Sequence, residues 1–128
     1  MKDIQFMGSS LDDLREFPDD VKEEVGFALF KAQCGERAIN VTPLIMFKGA
    51  GVLEVISGHD RDTYRAVYTV RFGETIYVLH AFKKKSKSGK ATPKHEMDLV
   101  ERRLKAAEDH FIEQTKRKLV KKNGRQQT

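Results

Sequence analysis

The hydrophobic pattern of the first third of the chain predicts a short strand followed by two helices. Residues 4–7 form an apolar edge strand, and Ser10 with Asp13 resembles a capping box that opens a brief helix ended by Pro18. A second helix is predicted from residue 19 or 20 to near Gly35, because its apolar residues share one face: Val21, Val25, Ala28, Leu29 and Ala32.

The middle of the chain predicts a loop and then an antiparallel meander. Residues 36–51 have no clear period, so we expect a loop with one apolar patch. Three β-branched and aromatic stretches follow, at residues 52–56, 63–72 and 75–83. A two-residue turn at Gly73-Glu74 would place Arg65 opposite Phe82, Val67 opposite His80, Thr69 opposite Val78 and Arg71 opposite Ile76. We expect helices to cover one face of this sheet and the other face to be partly open.

The last helix is predicted to begin after Pro93, with Glu96 near its positive end. Its apolar stripe consists of Met97, Val100, Leu104, Ala107 and Phe111. From residue 123 we expect a disordered basic tail, so residues 1–122 would form a single domain. The whole pattern predicts an α+β fold, in which an N-terminal helix pair packs on a small antiparallel sheet and a C-terminal helix follows.

Composition narrows the class of protein. A chain of 128 residues with 39% hydrophobic content can bury a core of its own. The single cysteine, Cys34, rules out an internal disulfide. No apolar run is long enough to span a membrane or to serve as a signal peptide, so we expect a cytoplasmic protein without membrane contact.

The charge is distributed unevenly along the chain. Residues 1–24 hold eight acids and three cations, which gives them a net charge of −5. Because the whole chain has a net charge of +5, the remaining residues carry +10. One basic block, residues 83–95, contains six lysines and no acid, and it lies where the last strand gives way to the last helix. A cation cluster at such a junction is typical of a phosphate-binding surface. The second block follows Glu113 and is given less weight, because basic chain ends are often only solvated.

One reaction that a phosphate-binding surface could serve is cleavage of RNA through its 2′-hydroxyl. This reaction needs a base, cations that stabilise the phosphorane and an acid for the leaving oxygen, and it needs no metal. Arg65 lies on a central strand, where its charge would face either a groove or Glu54 on the neighbouring strand. Both interpretations are open from the residues alone.

The lysines at the strand end supply further candidates. Because crowded cations lower one another's pKa, one of Lys83, Lys84 and Lys85 could act as the base while the others hold phosphate. Strict alternation puts Lys84 on the face of Arg65, whereas a bulge at the strand end would reverse this. Three further lysines are expected to position RNA: Lys87, Lys90 and Lys94.

Other candidate sites are poor. The sequence His59-Asp60-Arg61-Asp62 lies in a predicted turn, and Gly49-Ala50-Gly51 precedes a strand and not a helix. No serine or cysteine has partners at a recognisable spacing, and His80 is expected to be a satisfied core histidine. We therefore expect no metal and no cofactor.

Several segments in this order resemble the phage-derived branch of the RelE/HigB toxins of bacterial toxin–antitoxin systems. They are residues 51–54 (GVLE), 64–68 (YRAVY), 79–85 (LHAFKKK) and 92–93 (TP). The resemblance implies a microRNase-like fold, metal-independent cleavage of messenger RNA on the ribosome, and a small helix-turn-helix antitoxin as partner. It also implies that Arg65 is an active-site cation.

Two positions depart from the pattern of the family. Several members have a tyrosine or histidine near the C-terminal helix, whereas here the last tyrosine is Tyr77 and His95 is the only candidate. An arginine that often follows the glutamate of the first meander strand is Ile56. Two other functions therefore stay open: a non-nucleolytic toxin that resembles the ParE group and binds DNA gyrase, and a nucleic-acid-binding accessory domain without toxicity.

Overall fold

The computed structural model of the protein describes residues 1–47, 49, 51–85 and 92–126. Its helices and strands follow one another in this order: β1 (Asp3–Phe6), α1 (Ser10–Arg15), α2 (Asp19–Gln33), β2 (Val41–Pro43), β3 (Val52–His59), β4 (Asp62–Thr69), β5 (Thr75–Lys85) and α3 (Lys94–Gln126). A short 3-10 turn, Ile45–Phe47, lies between β2 and β3. The predicted α+β class is confirmed.

The strands form one five-stranded sheet in the order β1-β5-β4-β3-β2. The predicted antiparallel meander of β3, β4 and β5 is confirmed. However, β1 pairs with β5 in parallel, so the sheet is mixed and not wholly antiparallel. The expected loop before β3 also contains a strand, since buried Val41 pairs with Val55 and starts β2. With only three residues, β2 is too short for its alternation to be read from the sequence.

The predicted register is correct for the first six of the eight residue pairs between β4 and β5. Arg65 lies opposite Phe82 and Val67 opposite His80, as expected. An irregularity between Val67 and Tyr68 then shifts the pairing by one residue, so Thr69 faces Tyr77. The two-residue turn was therefore wrong: β4 ends at Thr69 and β5 begins at Thr75, with five residues between them.

Helices cover both faces of the sheet. Helices α1 and α2 bury one face, and the core there contains Val25, Tyr68 and Val78. Helix α3 packs on the other face, where Val100 and Ala107 are fully buried against the strands. The predicted stripe of α3 covers much of this second face, which stays open beside β2 and β3.

The two predicted helix starts had different outcomes. Helix α3 begins directly after Pro93, as predicted. The residue that precedes helix α1 is Ser9, one position earlier than expected. Its hydroxyl donates to the Asp13 carboxylate at 2.8 Å and makes no capping hydrogen bond with the helix backbone. Ser10 is buried instead and donates to the carbonyl of Val78 in β5. The capping box was therefore wrong, since Ser10 ties the helix to the sheet.

Helix α3 continues past residue 123, where a disordered tail was expected to start. The division into a domain of residues 1–122 and a tail stays a prediction. None of the described helices is long and apolar enough to cross a membrane.

Candidate functional site

A groove opens on the α3 side of the sheet, between β2, β3 and the start of α3. It encloses about 530 Å³ and has largely apolar walls, and four polar residues line it: Thr42, Glu54, Arg65 and Thr92. The walls are formed by Thr42, Pro43, Leu44, Ile45, Met46, Ile56 and Met97. An apolar pocket with a few converging polar groups is the usual form of a binding site.

Arg65 and Glu54 form an ion pair in this groove. The Arg65 guanidinium NH1 donates to Glu54 Oε1 at 2.9 Å, and the two side chains are only 6% and 3% exposed. The two interpretations left open by the sequence are therefore compatible, since Arg65 pairs with Glu54 and also lines the groove. Breaking such a buried pair on one side leaves an uncompensated charge.

Thr92 joins the pair to the start of α3. Its hydroxyl donates to Glu54 Oε2 at 3.2 Å and lies 3.5 Å from Arg65 NH1. Burial raises the pKa of the Glu54 carboxyl, while the Arg65 charge, the Thr92 hydrogen bond and the Lys84 charge act in the opposite direction. Thr92 belongs to one of the segments that carry the resemblance, but no role in the site was predicted for it. Its position directly before the helix-opening Pro93 is the one signal that points to it.

The lysines at the end of β5 point to different faces. The Lys83 ammonium lies 3.0 Å from the Asp62 carboxylate and 6.0 Å from the centre of the Tyr64 ring, on the side of α1 and α2. Asp62 raises the pKa of Lys83, which is the opposite of what a base requires.

Lys84 lies opposite Thr63 in unbroken register, and its charge acts on Glu54, so it shares the face of Arg65. The expectation from strict alternation is thus confirmed, because the only shift along this strand pair lies near the other end. The backbone of Lys85 pairs with Asp62. Its side chain lies outside the described part of the structure.

The remaining predicted residues are spread out. Lys94 begins α3, where its ammonium is exposed and lies 3.3 Å from the Asp98 carboxylate. His95 is 80% exposed, with Nε2 3.7 Å from Glu96 Oε1. Lys87 and Lys90 lie outside the described residues. The structure therefore brings Arg65 and Lys84 to one face and directs Lys83 to the other, while the roles assigned to all of these residues stay predictions.

A second polar network ties β5 to α3 through His80. Its Nε2 lies 3.1 Å from Glu96 Oε1 and its Nδ1 lies 3.3 Å from Arg103 NH1. A guanidinium can only donate, so Nδ1 accepts and the ring proton on Nε2 is donated to Glu96. Arg103 also donates to the Leu79 carbonyl at 3.0 Å and to the Ser9 hydroxyl at 3.1 Å. The prediction of a satisfied core histidine is confirmed.

We expect Gly8→Ala to destabilise the protein by roughly 1–3 kcal/mol. Gly8 has a φ of +53°, and an added Cβ would lie 2.6 Å from Nε of Arg103, which is held by the network around His80. Gly26→Ala is the control, because Gly26 lies inside α2 with nothing within 4 Å of an added Cβ. That change should stabilise by about 0.5–1 kcal/mol. Urea unfolding of both variants measures the difference, and equal effects would contradict the account of Gly8.

The His59 segment contains an ion-paired histidine. His59 Nδ1 lies 2.9 Å from Asp20 and Nε2 lies 3.2 Å from Asp60, and the hydrogen bond with Asp20 raises the pKa of His59. Among the residues that the structure describes, no group of three or more His, Cys, Asp or Glu residues could hold a metal ion.

Comparison with known proteins identifies a family and a similar solved structure. A family model described as phage-derived protein Gp49-like matches residues 12–105. The structure of the isolated Escherichia coli RelE toxin superposes with a TM-score of 0.51 at 16% sequence identity, covering 80% of this chain and 98% of that one. At this identity the match establishes a common fold. A search of curated proteins finds no match.

Proposed function

The chain belongs to the Gp49-like family of phage-derived proteins, and from this premise we propose that it is the toxin of a toxin–antitoxin pair and cleaves messenger RNA on the ribosome. The observation that carries the proposal is the buried Arg65–Glu54 pair that lines the groove, with Lys84 on the same face of the sheet. The RelE-like fold supports it, because the solved relative is a toxin.

Residues in the groove and around it offer the groups that metal-independent RNA cleavage needs. Arg65 and Lys84 supply positive charge for the phosphorane. Glu54 is the best candidate for the base, because burial raises its pKa and so makes its carboxylate a stronger base. His95, exposed at the start of α3, would supply the acid. Lys94 and the lysines of residues 83–90 would hold the RNA.

The ribosome would supply what the isolated protein lacks. His95 makes no described contact with Arg65 or Glu54, so acid and base are not held together in the free chain. A ribosome that holds the messenger in line with the groove would provide this alignment. We therefore expect weak cleavage of naked RNA.

Inhibition of translation and inhibition of gyrase separate the two toxin classes. The purified protein should block cell-free translation from a messenger already transcribed, and it should leave the supercoiling of plasmid DNA by gyrase unchanged. If supercoiling stops while translation continues, the chain is a gyrase toxin. If neither process is affected, it is a nucleic-acid-binding domain without toxicity.

We also propose a cytoplasmic location and expect the neighbouring reading frame to encode a small helix-turn-helix antitoxin.

Binding of RNA by the lysines should depend steeply on salt. Each lysine held against phosphate releases counterions, so the logarithm of affinity should fall linearly with the logarithm of salt concentration, and the slope should flatten by about 0.7–0.9 for each contact removed. Replacing Lys84, Lys85 and Lys94 by glutamine should flatten it. Replacing Lys116, Lys118 and Lys121 in distal α3 is the matched control and should change it less. Filter binding of a single-stranded RNA at several salt concentrations measures the slopes. An unchanged slope in the first variant would mean that these lysines are only solvated.

A further inference from the structure

The C-terminal half of α3 carries apolar residues on a side that does not face the sheet. Ile112, Leu119 and Val120 are 44%, 56% and 70% exposed. At 3.6 residues per turn, their common direction lies roughly 120° around the helix from the stripe that faces the sheet. That stripe ends with Phe111, which packs on Phe72. The sheet therefore does not cover these three residues.

This part of α3 is long enough to be a docking surface in its own right. Residues 112–126 span about 22 Å of helix at a rise of 1.5 Å per residue. Isolated helices of this length are marginal in water, so a partner that packs along the helix would stabilise it. None of the described residues in this segment lines the groove.

The charge of the surface defines the chemistry of its partner. After Glu113 the chain has no acid, and it has six cations: Lys116, Arg117, Lys118, Lys121, Lys122 and Arg125. Arg117 lies 3.5 Å from Glu113, so the segment retains a strong positive excess. A second copy of the same helix would be repelled, whereas an acidic helix would be attracted.

The side chains of the surface favour a protein partner over nucleic acid or membrane. Stacking on single-stranded RNA uses aromatic rings, and Phe111 is the last aromatic residue of the chain. Helices that lie on a membrane surface usually bury tryptophan or phenylalanine together with leucine. The exposed residues here are aliphatic, which suits a knobs-into-holes seam with another helix.

We propose that residues 112–121 of α3 are a docking surface for an acidic, amphipathic helix of a partner protein. Ile112, Leu119 and Val120 form the apolar seam. Two cations beside this seam, Lys116 and Arg117, pair with the partner's carboxylates. The surface stands apart from the groove, so the proposal does not depend on nuclease activity.

A synthetic acidic helix tests the proposal directly. The probe is a labelled peptide about three heptads long, with leucine at the a and d positions and glutamate at e and g. A second peptide carries lysine at e and g. Fluorescence anisotropy with the full-length protein should show micromolar binding of the acidic peptide, weakened at high salt, and at least about tenfold weaker binding of the basic one. Amide exchange in residues 112–121 should slow when the acidic peptide is bound.

Two double variants locate the contact. Leu119→Ser with Val120→Ser should weaken binding of the acidic peptide at least about tenfold. Phe27→Ser with Phe30→Ser is the matched control, because these residues of α2 are similarly exposed, at 57% and 48%, and this variant should bind normally. Equal losses in both variants would overturn the proposal. It would also be overturned if the acidic peptide did not bind while anionic vesicles, oligouridylate or a second copy of the chain did.

Discussion

Arg65→Ala is expected to lower the free energy of unfolding by about 3–5 kcal/mol and to abolish growth inhibition. The change leaves Glu54 buried without its cation, since the Glu54 side chain is only 3% exposed and Arg65 lies 2.9 Å from it. Glu54→Ala should have a similar effect on stability. Urea unfolding beside a growth assay measures both results, and an unchanged stability in either variant would contradict the ion pair.

A double variant separates the structural role of Arg65 from a catalytic one. Replacing Arg65 by Met and Glu54 by Leu exchanges the ion pair for apolar packing, which is often neutral for stability. We expect the double variant to fold but to remain non-toxic, because the groove loses its cation and its candidate base. Full toxicity of this folded variant would show that neither group takes part in the chemistry.

The pH dependence of Arg65→Ala provides an independent check. Removing the Arg65 charge should raise the pKa of buried Glu54 further, because Arg65 is the largest influence that opposes burial. A carboxyl with a raised folded-state pKa contributes stability at low pH, and this stability is lost as pH rises through that pKa. The difference in melting temperature between Arg65→Ala and the parent protein should therefore widen as pH rises above 4.5, the ordinary pKa of a glutamate.

Lys84→Gln is expected to slow cleavage on the ribosome by about 10²–10³-fold, whereas Lys83→Gln should change it by less than about threefold. The two lysines are neighbours in β5 but face opposite sides: Lys84 acts on Glu54, and Lys83 pairs with Asp62. The Lys83 variant is therefore the matched control for the loss of one positive charge. Single-turnover cleavage by both variants measures the difference. Equal losses would mean that the lysines act only through net charge.

Local patterns predicted most of the fold. Helix α2 and the stripe of α3 follow from apolar residues at helical spacing, and Pro93 marks the start of α3. Features that depend on distant partners were missed or wrong. Short β2 exists because Val41 pairs with Val55, and the Val67/Tyr68 irregularity shifts a register that looked regular in sequence.

The site was only partly predictable for the same reason. Alternation along β5 was enough to put Lys84 on the face of Arg65. The contact of Thr92 with Glu54 joins residues 38 positions apart, and that of Arg103 with His80 crosses from α3 to β5. No short-range pattern encodes contacts of this kind. The resemblance identified Arg65, whereas the raised pKa of Glu54 required its burial to be known.

The proposed activity is tested most directly by mapping the 5′ ends of a messenger after incubation with the purified protein. One sample contains ribosomes programmed with that messenger, and the other contains the naked messenger at the same concentration. We predict new 5′ ends within codons at the ribosomal decoding site, and far fewer ends in the naked sample. The folded Arg65→Met, Glu54→Leu variant should produce none. Identical ends with and without ribosomes, or no ends in either sample, would contradict the proposal that the protein is a ribosome-dependent nuclease.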